Sequence, residues 1–331
     1  MTIRKGTNSG LYVLTAAAGV SPAVPINQWN TLSGTTAGGK AFSIATDAAR
    51  AGTIVSCIYD GVQLISATDH GRGIVNAWNK FPTGESVASN VNSPTAPGSQ
   101  DDGSNLTRGS SVQLYRYVDN TAAPTRLITR MMPAYWHIPG QASLPGHPAL
   151  NKRVVSQWTT TVDNQLNYLG NPNLISFLTD VYVPDESWVP SGAGQILDMV
   201  SLSIIALQTV FDTVEYLDPA TGTVTAYPGF PDTSQTKVCM ISKADGTIAM
   251  CPFQVLSEWG ATGYAQCWVP SIVNTFIRAK EVSAGAIASG MRRYSATLAL
   301  GTRAEVIAAI QAAHAGMTTR TTDIVLPDLA A

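Results

Sequence analysis

Gly34 to Lys40 spells GTTAGGK, a glycine, four residues and then Gly-Lys. With that spacing a phosphate-binding loop wraps its backbone N–H groups around a nucleotide. The chemistry also needs a strand before the loop, a helix after it, and a Ser or Thr following the lysine to hold magnesium. Ala41 occupies that last place, and the preceding Asn27-Gln28-Trp29-Asn30 is polar and reads as no β-run. The match is therefore taken as fortuitous, and Gly38-Gly39 as a flexible turn. Asp69-His70 has the make-up of a carboxylate-oriented general base, but such a base acts on a third group, and no GxSxG nucleophile motif occurs. The pair reads as a loop hydrogen bond.

Metal-ligand patterns are equally thin. His137 and His147 lie ten residues apart in the proline-rich stretch Pro133 to Pro148, with no carboxylate cluster beside them, and His314 belongs to a C-terminal helix. Asp101-Asp102-Gly103-Ser104-Asn105 offers oxygen ligands without the alternation and distant Glu of an EF-hand. It runs into the glycosylation sequon Asn105-Leu106-Thr107, which matters only in a secreted chain. Cys57, Cys239, Cys251 and Cys267 form no CxxC. Within Lys237 to Pro252, a three-residue hairpin loop would set Cys239 opposite Cys251, whereas a two-residue Asp245-Gly246 loop would set Cys251 opposite Met240. Asp185-Glu186 beside Trp188 is the acidic and aromatic cluster best suited to sugar chemistry. Seven tryptophans and eleven tyrosines are spread along the chain, as core and interface anchors are. No catalytic, cofactor or metal site is assigned.

The elements that position these residues read as strands. Thr53 to Tyr59 and Val62 to Thr68 flank Asp60-Gly61, which suits the two positive φ angles of a type I′ hairpin. Tyr216 to Tyr227 turns on Asp-Pro-Ala-Thr-Gly, with Gly222 available for a left-handed position. Val112 to Val118 pairs with Arg126 to Met132, Leu174 to Val183 is a strand stopped by Pro184, and Leu11 to Thr15 is a first strand in preference to a signal peptide. Gln195 to Phe211 reads as a strand entering a hairpin. Phe81 to Ser111 reads as a long loop without a periodic apolar face. Thr302-Arg303-Ala304-Glu305 is a capping box, followed by Val306, Ile307 and Ile310 at helical spacing and by Gly316 as a left-handed stop. A second helix is expected within Ser271 to Ala288, followed by a strand from Arg293 to Leu300. The expected fold is mainly β, a sandwich or jelly roll of antiparallel hairpins in a single domain over 1–331, with a more helical part at 271–331.

Charge narrows the function classes. Only 20 Lys and Arg and 22 Asp and Glu occur in 331 residues, 13% against the quarter usual for soluble domains. A net charge of −2 without a basic stripe removes the footprint of direct nucleic-acid binding, and Arg292-Arg293 is too small to replace it. No apolar run is long enough to span a membrane. A weakly charged, turn-rich β chain without catalytic motifs leads to the expectation of a structural protein of a virus or phage particle. Such a capsid, outer-shell or surface-protrusion subunit would bind copies of itself or another shell protein. The alternative class is a secreted carbohydrate-binding protein or glycoside hydrolase.

Overall fold

Short apolar runs punctuated by Gly, Asp and Pro favour strands, and strands dominate the chain. The structure is a computed structural model. It describes residues 2–5, 12–15, 30–47, 50–66, 73–83, 94–95, 111–120, 122–135, 142–144, 147–148, 156–185, 194–229, 233–268 and 273–327. In chain order the first strands are β1 (Thr2–Lys5), β2 (Tyr12–Thr15), β3 (Asn30–Thr35), β4 (Ala41–Asp47), β5 (Thr53–Tyr59), β6 (Val62–Gln63), β7 (Ile74–Pro82) and β8 (Pro94–Thr95). Next come β9 (Val112–Val118), β10 (Arg126–Met132), β11 (Ala134–Tyr135), β12 (Ala142–Leu144), β13 (His147–Pro148), β14 (Thr159–Gln165), β15 (Leu174–Val183) and β16 (Gln195–Ala206). The last are β17 (Thr213–Leu217), β18 (Val224–Ala226), β19 (Val238–Ser242), β20 (Ala249–Gln254), β21 (Tyr264–Trp268), β22 (Val273–Ser283) and β23 (Gly290–Gly301), before the helix α1 (Arg303–Gly316).

Two antiparallel sheets form a sandwich. The nine-stranded sheet runs β18-β17-β19-β20-β23-β15-β14-β10-β9, and the ten-stranded sheet runs β21-β22-β16-β7-β5-β4-β3 with β6, β8 and β11 attached. Their inner faces share one apolar core. Across it Trp78 of β7 stacks on Trp158 with ring centroids 6.4 Å apart, and the Thr275 hydroxyl of β22 donates to the Cys239 carbonyl of β19 at 2.9 Å. α1 covers the other side of β20 and β23 with Val306, Ala309, Ile310 and Ala313. Strands buried on both faces need no alternation, and β19 and β20 are accordingly buried at every residue. Pro252 lies inside β20 without an N–H to donate. The ladder to β19 pairs Met250 and Ala249 only, while the ladder to β23 continues to Gln254. Beyond α1 the chain returns over the nine-stranded sheet, where Arg320 donates to the Asp180 carboxylate at 2.6 Å and the Ile324 N–H donates to its other oxygen.

The expected antiparallel sandwich is what forms, and several runs keep their expected limits: β5, β9, β10 and β15 match residue for residue. Asp60 and Gly61 take φ of 48° and 80°, as the type I′ turn requires. The returning arm is shorter than expected, since β6 holds only Val62–Gln63 before Ile65 bridges to Ala206 of β16. Gln195–Ala206 is a strand followed by a turn into β17, and β17 pairs with β18 around Gly222 at φ 72°.

Other expectations are corrected. Residues 273–283 form the strand β22 in place of a helix, because Val273, Thr275, Ile277 and Ala279 are buried while Asn274, Phe276, Arg278 and Lys280 are only partly so, a period of two. The C-terminal part is thus two strands and one helix. α1 continues through Gly316 and is stopped by Met317 in an extended conformation, with no left-handed residue. Gly316 answers a packing need instead, since a Cβ there would lie 3.3 Å from Leu169. Of the expected loop 81–111, Phe81 closes into β7 and Pro94–Thr95 form β8 against β7 and β11; the stretches 84–93 and 96–110 lie outside the described residues. β3, β4, β7, β14 and β21 are strands that the expectations did not include. No helix among the described residues is long and apolar enough to cross a membrane.

A Cβ on Gly61 would meet nothing within 4 Å, so only its positive φ constrains the position. Gly61→Val should cost about 1 kcal/mol or more and Gly61→Asn much less, read from urea unfolding midpoints. Equal midpoints for the two variants would contradict the turn assignment.

Candidate functional site

One face of the ten-stranded sheet, the side turned away from the core, gathers aromatic and charged side chains from β16, β21 and β22. The turn before β21 sets their register. Lys280 donates its N–H to the Trp259 carbonyl at 2.8 Å. The turn sits so close to β22 that a Cβ at Gly260 would lie 1.9 Å from the Lys280 carbonyl oxygen, and one at Gly263 2.0 Å from that of Trp259. Glycine at both positions lets Tyr264 pair with Arg278, Gln266 with Phe276 and Trp268 with Asn274. Alternate residues of a strand share a face, so Tyr264, Gln266 and Trp268 stand in a row beside Phe276, Arg278 and Lys280.

β16 adds to this row through a bulge. Its pairing with β22 shifts between Val200 and Leu202, and its pairing with β7 shifts at the same place. Ser201 is the extra residue, and its hydroxyl donates to the Ile277 carbonyl at 3.3 Å. Changing phase at Ser201 keeps Leu197 and Met199, then Leu202 and Ile204, in the core. It leaves Asp198 and Ser203 on the outer face, where Asp198 pairs with Lys280 and the Ser203 hydroxyl donates to Asn274 at 2.7 Å.

The electrostatics centre on Asp198. Its side chain is 2% exposed, with Arg278 Nε at 3.5 Å and Lys280 Nζ at 3.8 Å, both longer than a charge-assisted hydrogen bond. Neither Asp198 oxygen accepts a hydrogen bond from the described protein, and Arg278 Nε donates none. Burial pushes the Asp198 carboxyl above its ordinary range, against the opposing pull of Arg278 and Lys280. Arg278 Nη1 donates to the Tyr264 hydroxyl at 2.6 Å, and its guanidinium lies 5.7 Å from the ring centres of both Tyr264 and Phe276. Lys280 Nζ lies 5.0 Å from the Tyr264 ring centre. Trp268, 46% exposed, ends the row at the sheet edge. That edge is closed by side chain and loop: Tyr227 Oη donates to the Cys267 carbonyl at 2.6 Å and accepts from its N–H, and Ser234 exchanges both backbone bonds with Ala265.

The residues singled out from sequence fall elsewhere. A strand, β3, does precede Lys40, contrary to expectation, but the turn Thr36–Lys40 leads into the strand β4 and not into a helix. The turn instead touches the N-terminus of α1, whose Glu305 accepts from the Gly38 N–H at 2.6 Å and from the Thr302 N–H at 2.7 Å. Glu305 thereby supplies the anion that a phosphate would provide. Burial pushes the Glu305 carboxyl up, but the bonds from Thr302, Gly38 and Asn173 outweigh it and hold it below its ordinary value. Lys40 makes an exposed ion pair with Asp60 at 2.7 Å.

Asp69-His70, His137, Asp101 to Asn105, Glu186 and Trp188 lie outside the described residues. His147 begins β13, and Asp185 is exposed after β15. Cys239 and Cys251 are not opposed. Ile241 pairs with Met250 and Ser242 with Ala249, the register that sets Cys251 against Met240, and all four cysteines are buried and outside any disulfide. Arg292 and Arg293 are engaged by Glu281 and Asp323. Trp78, Trp158 and Trp259 are core residues as expected, while Trp268 is not. The convergence of Asp198, Tyr264, Phe276 and Arg278 had one signal in the sequence, the alternation in Tyr264-Ala265-Gln266-Cys267-Trp268 facing the alternation in β22.

No protein-family model and no curated protein sequence matches the chain. Among solved structures it is similar to a Klebsiella pneumoniae protein described as an aldose 1-epimerase, at 10% identity over 87% of this chain and 95% of that one, with a TM-score of 0.42. It is also similar to a Synechocystis protein at 10% identity over 88% and 100% of the two chains, TM-score 0.35. A third likeness is to a heparinase III at 9% identity, over 87% of this chain and 36% of that one, TM-score 0.36.

Two measurements test these assignments. Lys40→Ala should leave the melting temperature unchanged, whereas Glu305→Gln should lower it. A carboxyl held low in the folded state stabilises above its unfolded value and loses that contribution as pH falls through the folded one. The gap between wild type and Glu305→Gln should therefore narrow below pH 4.5, the ordinary value for this group. Burial also pushes the Cys57 and Cys267 thiols up to about 12. A thiol reagent at pH 8 should label none of the four cysteines before unfolding and all of them in denaturant.

Proposed function

We propose that this chain is a carbohydrate-binding protein whose ligand lies along the outer face of β21, β22 and β16. One observation carries the reading: three aromatic rings, Tyr264, Phe276 and Trp268, share a face with a buried carboxylate and a buried guanidinium nitrogen that the described protein leaves without hydrogen bonds. A pyranose presents a C–H face that stacks on aromatic rings and a rim of hydroxyls that both donate and accept. This face offers the complement, with rings for stacking, Asp198 and Gln266 as acceptors and Arg278 as donor. The row from Tyr264 to Trp268 is about 13 Å long, room for a short oligosaccharide. Asp180, equally buried on the other sheet, marks the difference, because Arg320 and Ile324 fill its oxygens. Recognition is proposed rather than hydrolysis, since a glycosidase flanks the bond with two carboxylates and this face contributes Asp198 alone among the described residues.

A second reading, the subunit of a virus or phage particle, draws on the 42 charges in 331 residues and on the exposure of Val282 and Val325, 53% and 64%. Contacts of that kind would join side-chain faces, and sedimentation should then show a salt-resistant oligomer.

Glycan-array screening followed by calorimetry tests the first reading. Trp268→Ala should weaken binding by about tenfold or more with little change in melting temperature, because the ring is half exposed. Absence of any bound glycan, or equal binding by the variant, would overturn it.

A further inference from the structure

The outer face carries an imbalance of charge. Among the described residues, Arg278 and Lys280 set two positive groups against the single carboxylate of Asp198, and their side chains are 14% and 15% exposed. Arg292 and Arg293, by contrast, each have an acidic partner of their own, and Asp180 faces Arg320. An excess cation held mostly out of water is costly unless a counter-charge reaches it. Solvent still reaches part of both side chains, although Arg278 Nε itself is shielded from it. Both cations lie against the Tyr264 ring, and Arg278 also against that of Phe276, so an anion meeting them would be attached to whatever stacks there.

We propose that the sugar bound on this face carries a carboxylate, that is, a hexuronate whose acid group meets Arg278 and Lys280 while its ring lies on Tyr264 and Phe276. The inference rests on the carbohydrate reading above and deepens it. A planar carboxylate fits the guanidinium fork, and Lys280 adds a point charge beside it.

The test compares gluco-, galacto- and manno-configured uronate oligosaccharides, each with its methyl ester, which keeps the ring and hydroxyls and removes the charge. At least one free acid should bind about tenfold or more tightly than its ester. The preference should shrink in about 1 M salt, fall in Lys280→Met, where Arg278 alone still meets the acid group, and persist in Lys280→Arg. Thermal melting shows whether each variant is folded, and Lys280→Arg keeps the test open if Lys280→Met unfolds. Equal binding of acid and ester overturns the carboxylate and leaves the aromatic face as a neutral-sugar site. Competition by inorganic phosphate as strong as by the uronate would also overturn the proposal, by reducing the site to a simple anion site. Failure of every sugar to bind, with Trp268→Ala without effect, removes both readings together.

Discussion

Ser201 is one residue more than the ladder of β16 can pair, and the placement of side chains on both sides of the ten-stranded sheet depends on how that residue is absorbed. Strand side chains alternate with a period of two, so a single inserted residue exchanges inside for outside from that point on. β16 has Leu197 and Met199 before the insertion and Leu202 and Ile204 after it, and only a bulge between them sends all four into the core. The same phase change fixes Asp198 on the outer face next to Lys280. A regular strand would have had to turn either Leu197 and Met199 or Leu202 and Ile204 out of the core, at a cost of about 1.5–3 kcal/mol for each large apolar side chain turned to water.

Buried charge is handled in two ways in this molecule. Asp180 and Glu305 are enclosed by donors from distant parts of the chain: the returning tail in one case, the glycine-rich turn and the helix N-terminus in the other. Those bonds tie segments together that are far apart in sequence, 140 residues for Asp180 and Arg320 and 267 for Gly38 and Glu305. Among the described residues, Asp198 is held by neighbouring strands, and at distances that leave hydrogen-bonding capacity unused. The first arrangement serves stability, and the second is what a site for a polar ligand needs.

The sandwich was legible where local rules act alone. Asp60-Gly61 demands two positive φ angles, and Thr302 with Glu305 forms the capping box as read. Ser271 to Ala288 has the length of a helix, but the alternation of Val, Thr, Ile and Ala with Asn, Phe, Arg and Lys within it is what makes β22 a strand. β7 carries no strand signal in its sequence because Asn76, Trp78 and Lys80 share a buried face with Ile74, so polarity there does not mark the exterior. The outer-face cluster could not be found by any motif: Asp198 and Tyr264 are 66 positions apart and meet only through the order β21-β22-β16. GTTAGGK shows the reverse, a motif whose spacing is right and whose structural surroundings give it another task.

An edge strand with free N–H and C=O groups invites any passing extended chain to add itself to the sheet. On β21 the Tyr227 hydroxyl and the Ser234 backbone already occupy Ala265 and Cys267. The strand that displays Trp268 is therefore a poor template for cross-β growth, and an exposed aromatic surface there need not bring amyloid-type polymerisation with it.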